Sequence, residues 1–171
     1  MTNGRPLKVL FLSAEVVPFA KTGGLADVAG SLPKAIHSLG HDIRLVMPRY
    51  GRIDPGKFEL KPILPAFPIP MDKQTEEVSI LEGQLAPDIP VYFVENAKYY
   101  DRDGIYMYPD DAERFILFCR SALETTQRLG WCPDVIHCND WHTAIVPNWL
   151  KTLYHDDPFF AHTASVYTIH N

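Results

Sequence analysis

Lys21-Thr22-Gly23-Gly24 is the first stretch whose residue types could do chemistry. Paired glycines let a backbone come close to a ligand, a helix starting there offers N–H groups with no internal partner, and Lys21 adds positive charge. Together they make a seat for a phosphate or another anion. The plain alternative is a turn that only reverses the chain, with Lys21 a solvated loop lysine. Asp140-Trp141-His142 is the second stretch. Its carboxylate can accept from sugar hydroxyls and its indole face can stack on a sugar ring, while the plain alternative makes Asp140 the cap of a helix beginning near Thr143. His170-Asn171 is the third, with strand-end capping as the alternative. A metal site built from His137, Cys138, Asp140 and His142 is disfavoured, because His137 and Cys138 are neighbours on a strand and point to opposite faces. No metal and no cofactor are expected. His37, His41, His155 and His162 read as surface or helix-end residues.

These stretches are placed by alternating strands and helices. Lys8 to Ser13 is a short, nearly continuous apolar run, as in a parallel strand buried on both faces. Leu25, Val28 or Ala29, Leu32, Ile36 and Leu39 then recur at helical spacing up to Gly40, and Pro33 predicts a kink there or two short helices. Asp42 to Met47 is the next strand. From Tyr50 to about Glu95 prolines are frequent and the helical signal is gone. Short β-like runs near Phe58–Leu60, Val78–Leu81 and Val91–Val94 predict a β-rich excursion at the sheet edge. Tyr99, Tyr100, Tyr106 and Tyr108 crowd into the loop that follows. A scaffold helix over about 112–129, a strand at 134–138, a helix at 143–153 and a last strand at 164–169 complete the pattern. The alternation predicts an α/β, Rossmann-like parallel sheet with flanking helices. The Lys21 turn falls at the carboxyl end of its first strand, where such sheets bind ligands.

The chain has 171 residues, 46% of them hydrophobic and 22% charged, which suits a single globular domain rather than a disordered or membrane-spanning chain. Its net charge of −5 argues against a general nucleic-acid binder. Cys119, Cys132 and Cys138 form no CxxC pair and read as reduced core thiols, and with no signal peptide or transmembrane run the expected location is the cytoplasm.

Ser13-Ala14-Glu15 with Pro18, the run from Lys21 to Val28, Leu32-Pro33, Gly40-His41 and Met47-Pro48 resemble the amino-terminal signature of bacterial glycogen synthases and plant starch synthases. So do Tyr100-Asp101-Arg102, the run from Pro133 to His137, Asp140-Trp141-His142 and the run from Thr168 to Asn171. The resemblance covers nearly the whole chain in order. It implies a glycosyltransferase that moves glucose from ADP-glucose to the non-reducing end of an α-1,4-glucan with retention. It further implies that residues 1–171 are an incomplete amino-terminal half of a two-Rossmann-domain enzyme, inactive without the donor-binding domain, and located in a plastid if the source is a plant. By the same resemblance Lys21, Gly23, Gly24 and Asn171 would bind the donor, and Asp140 and His170 would be catalytic. Glu15, Asp27, Tyr100, Trp141 and His142 would hold the acceptor. Two other classes stay open: a non-catalytic glucan-binding or regulatory module, and half of a dinucleotide-binding dehydrogenase. The second is disfavoured by the missing GxGxxG.

Overall fold

The computed structural model describes residues 4–170, so Asn171 lies outside the described residues. The first strand, β1 (Lys8–Leu12), is flanked on both sides by parallel partners, and its residues Leu10, Phe11 and Leu12 are wholly buried. Burial on both faces is why these positions are apolar without alternation. Helix α1 (Gly24–Ser38) carries the chain to β2 (Asp42–Pro48). Next come β3 (Lys61–Met71), β4 (Gln74–Ala86) and β5 (Ile89–Glu95), then the short α2 (Ala97–Tyr100) and the long α3 (Asp111–Arg128). The chain continues through β6 (Val135–Asn139), a 3-10 turn (Trp141–Thr143), α4 (Ile145–Lys151) and β7 (Ala164–Thr168).

All seven strands form one sheet in the order β3-β4-β5-β2-β1-β6-β7. The five from β5 to β7 are parallel, and β3 and β4 extend the sheet antiparallel. The sheet is therefore mixed. From β1 the chain winds outward through β2 to β5, then returns past both to place β6 on the other side of β1. The loops leaving the carboxyl ends of β1 and β6 part there, opening the crevice in which open α/β sheets hold ligands.

Three local expectations need correction. Residues around Pro33 form one continuous helix, with Pro33 buried inside it. Phe58–Leu60 forms no strand, with Phe58 and Glu59 in a turn, and β3 begins at Lys61. β3 holds Pro62, Pro65, Pro68 and Pro70, which an edge strand tolerates because half of its backbone donors have no partner strand to meet. Its register slips between Pro62 and Leu64 and again between Leu64 and Phe67. The segment expected as a helix from 143 to 153 is split into the 3-10 turn and α4, with Pro147 in the first turn of α4, where its missing N–H costs nothing. Cys119 and Cys138 are buried, Cys132 is partly so, and all three are free thiols. Among the described residues no helix is long and apolar enough to cross a membrane.

Candidate active site

Just past β1 the chain is pinned from both sides: Ser13 Oγ donates to the Glu15 carbonyl at 2.6 Å and Tyr50 OH to the Ala14 carbonyl at 2.9 Å. This fixes Glu15, which is buried. Its carboxylate accepts from the N–H of Thr22, from Thr22 Oγ1 at 2.7 Å, from the N–H of Gly23 at 3.2 Å and from Tyr106 OH at 2.6 Å. Burial by itself would raise its pKa, but the bonds from Tyr106, Thr22 and Gly23 outweigh burial and hold it below the usual carboxylate value. An ionised Glu15 thus already fills the anion position of the Thr22–Gly23 backbone. The N–H groups left free are those of Gly24, Leu25 and Ala26, which open α1 and lie too early in it for an intrahelical partner. A methyl group placed on Gly23 or Gly24 would meet no atom within 4 Å, so the two glycines border open space.

That space is a cavity of about 190 Å³ lined by Glu15, Gly23, Gly24, Leu25, Tyr106, Asp140, Trp141, His142 and His170. The crevice therefore brings together three stretches distant in sequence. Lys21 belongs to the turn, but its side chain lies elsewhere. Nζ sits 2.7 Å from each Asp27 oxygen, and Lys21 borders a neighbouring hollow with Phe19, Tyr50 and Arg52. Lys21 and Asp27 are 51% and 58% exposed, so their pair is worth at most about 1 kcal/mol.

Asp140 leaves β6 with φ 61° and ψ −180°, a conformation that only glycine adopts freely. Its own N–H donates to the Thr168 carbonyl at 2.8 Å, and its carbonyl accepts from the N–H of Thr143 at 3.0 Å. The carboxylate caps nothing, which sets aside the capping alternative. His142 is 4% exposed and lies against Trp141, Phe115 and Tyr106, with ring centroids 4.1, 4.6 and 4.8 Å away. Among the described residues neither ring nitrogen has a hydrogen-bond partner. Burial lowers its pKa to about 4 against the opposing pull of Asp140, Glu15 and Asp111, so the imidazole is neutral at pH 7. Trp141 lies half exposed beside it. His170 Nε2 is 3.2 Å from Asn139 Oδ1, while Asn139 Nδ2 donates to the Leu12 carbonyl at 3.0 Å. Since the amide oxygen must then be the acceptor, Nε2 of His170 carries the proton and Nδ1 is left unprotonated when the ring is neutral.

Tyr100 is not available to a ligand. It is wholly buried, and its hydroxyl donates to the Arg114 carbonyl at 2.8 Å, because the first turn of α3 packs directly on α2. Tyr106, in the loop between those two helices, reaches the cavity instead. Sequence reasoning placed it in the tyrosine cluster without singling it out. Asn139, which orients His170, was also missed, although strand alternation already sets it on the face opposite Cys138. Among the described residues no group of three or more His, Cys, Asp or Glu side chains is placed to hold a metal ion. His137 instead bonds Thr168 Oγ1 at 2.8 Å.

The comparisons with known proteins bear on the family and the fold. The model of the starch synthase catalytic domain matches residues 8–171. Glycogen synthases from Desulforudis audaxviator and Moorella thermoacetica are 50% and 48% identical, each over 98% of this chain. The catalytic domain of starch synthase IV from Arabidopsis thaliana, solved bound to ADP and acarbose, superposes with a TM-score of 0.88 at 32% identity over 97% of this chain. The chain spans about a third of the length of these relatives, 35%, 34% and 34% respectively. With its five parallel strands, its glycine turn and its Asp140-Trp141-His142 corner, the chain belongs to the starch synthase catalytic domain family of glycosyltransferases.

Proposed function

We propose that this chain is the glucan-side part of a glycogen or starch synthase, which transfers glucose from ADP-glucose to the 4-hydroxyl at the non-reducing end of an α-1,4-glucan with retention. The observation that carries the site assignment is His142: a buried, neutral imidazole with two unpartnered nitrogens is costly unless a ligand completes it. A sugar hydroxyl can both donate and accept, and so matches a neutral imidazole. Family membership and the ADP and acarbose in the related plant structure support the two substrate classes.

In the transfer, the bond from the anomeric carbon to the diphosphate oxygen breaks and a bond to the acceptor oxygen forms on the same face. The acceptor proton leaves with the diphosphate. The main electrostatic task is to hold charge growing on that diphosphate. The free N–H groups of Gly24, Leu25 and Ala26 serve it, joined by Lys21, whose exposed pair with Asp27 is weak enough to be exchanged for a phosphate. Asp140 receives hydroxyls near the reacting centre and His170 steadies the positive charge on the sugar. Glu15, Tyr106, Trp141 and His142 form the acceptor-facing wall. Asn171, outside the described residues, is assigned to the donor by the family resemblance alone.

The test is radiolabelled glucose transfer by the full-length protein. Asp140→Gly removes the carboxylate but suits the backbone, so transfer falls by at least about a hundredfold while thermal stability holds or rises by about 1 kcal/mol. Lys21→Ala lowers turnover with stability unchanged. Undiminished turnover in both variants rejects the assignment.

A further inference from the structure

Tyr106 comes from a loop without regular structure, yet its hydroxyl meets Glu15 at 2.6 Å. The peptide groups on either side of it are both held. The Ile105 carbonyl accepts from Arg114 Nη1 at 2.8 Å, and the Met107 N–H donates to Asp111 Oδ2 at 2.8 Å. Arg114 Nη1 and Asp111 Oδ1 are 2.6 Å apart, so a single ion pair on the first turn of α3 grips the backbone before and after one residue. Arg114 is wholly buried, donates through Nε to the Tyr99 carbonyl at 2.8 Å, and lies over the Tyr108 ring at 4.8 Å. Met107 is 94% exposed and has φ 73°, so no packing of its side chain accounts for its left-handed backbone.

We propose that the Asp111–Arg114 pair is a positioning clasp for the acceptor-facing wall: by fixing the peptides flanking Tyr106 it sets that hydroxyl, and through it the affinity for the glucan acceptor. The clasp rests on the acceptor reading given above. An ion pair with Arg114 wholly buried and Asp111 partly so, if kept only for stability, could be exchanged for apolar side chains with modest loss. Apolar side chains could not bind a carbonyl on one side of Tyr106 and an N–H on the other.

The test is a double-mutant cycle in the full-length enzyme, with the acceptor KM measured on a maltooligosaccharide at saturating ADP-glucose. Tyr106→Phe raises that KM about tenfold, and Asp111→Asn raises it roughly fivefold with the KM for ADP-glucose nearly unchanged. The double variant is within about twofold of Tyr106→Phe, because the clasp then has no hydroxyl to place. Additive increases overturn the clasp and leave the acceptor reading standing. An unchanged KM in Tyr106→Phe overturns the acceptor reading, and the clasp with it. Should Asp111→Asn fail to fold around the unpaired Arg114 charge, Asp111→Glu keeps the charge and displaces the carboxylate by one methylene. The same cycle run with that variant supports or overturns the clasp on the same readings of KM.

Discussion

His142 shows at the scale of one side chain how position changes the protonation of an ordinary residue. In the unfolded chain its imidazole takes up a proton near pH 6.5, whereas in the fold burial delays that to about pH 4. Between these values the unfolded state binds more protons, so stability is full above about 6.5 and declines as the pH falls toward 4. Glu15, with a pKa lowered from 4.5, adds its own loss once the pH falls below about 4.5, at the acid end of that range. His142→Phe keeps a ring of similar shape and removes the titration, so urea unfolding at pH 7 and pH 5 will show a smaller difference than in the parent. An equal difference in both proteins would contradict a buried neutral ring. The burial of His142 was not legible beforehand, but its place in the chain was. Asp140-Trp141-His142 sits directly after an apolar strand, and that position alone puts it at the ligand edge. Tyr106 was not legible, because its partner Glu15 lies 91 residues away and nothing near Tyr106 separates it from Tyr100, which faces inward.

At the scale of an element, the glycine turn is organised by the chain's own carboxylate. Glu15 gathers two backbone N–H groups and two hydroxyls, so Glu15→Ala leaves several of them buried without a partner and costs about 2–4 kcal/mol. Hydrogen exchange should rise first at Thr22 and Gly23, ahead of global unfolding, and the melting temperature should drop. Unchanged protection at those two amides would remove Glu15 from this role. β1 was readable from sequence because burial on both faces forces a nearly unbroken apolar run, and β2 and β6 were readable as short apolar segments although Arg44 and His137 interrupt them. The β-rich edge excursion was readable from its prolines, but the span of β3 was not, because four prolines in eleven residues hide a strand whose pairing partner lies farther along the chain. Pro33 misled in the opposite direction, since local crowding predicts an interruption that packing against the core overrides.

For the whole molecule, the two borders of the sheet are unlike. On one, β3 is broken by prolines and register slips; on the other, β7 pairs among the described residues only with β6 and leaves Val166 and Tyr167 48% and 41% exposed. A flat, apolar border with unused N–H and C=O groups invites pairing with another chain. The 171-residue chain produced by itself will therefore self-associate as concentration rises, and Val166→Lys will reduce this in sedimentation experiments while the melting temperature of the monomer stays within a few degrees. Association unaffected by the lysine would place the sticky surface elsewhere. The prolines of β3 carry a complementary meaning. Because that flank offers a newcomer few consecutive donors, a strand joining this sheet from another part of the polypeptide or from another molecule finds a more complete row of partners beside β7, and the sheet is biased to widen in that direction.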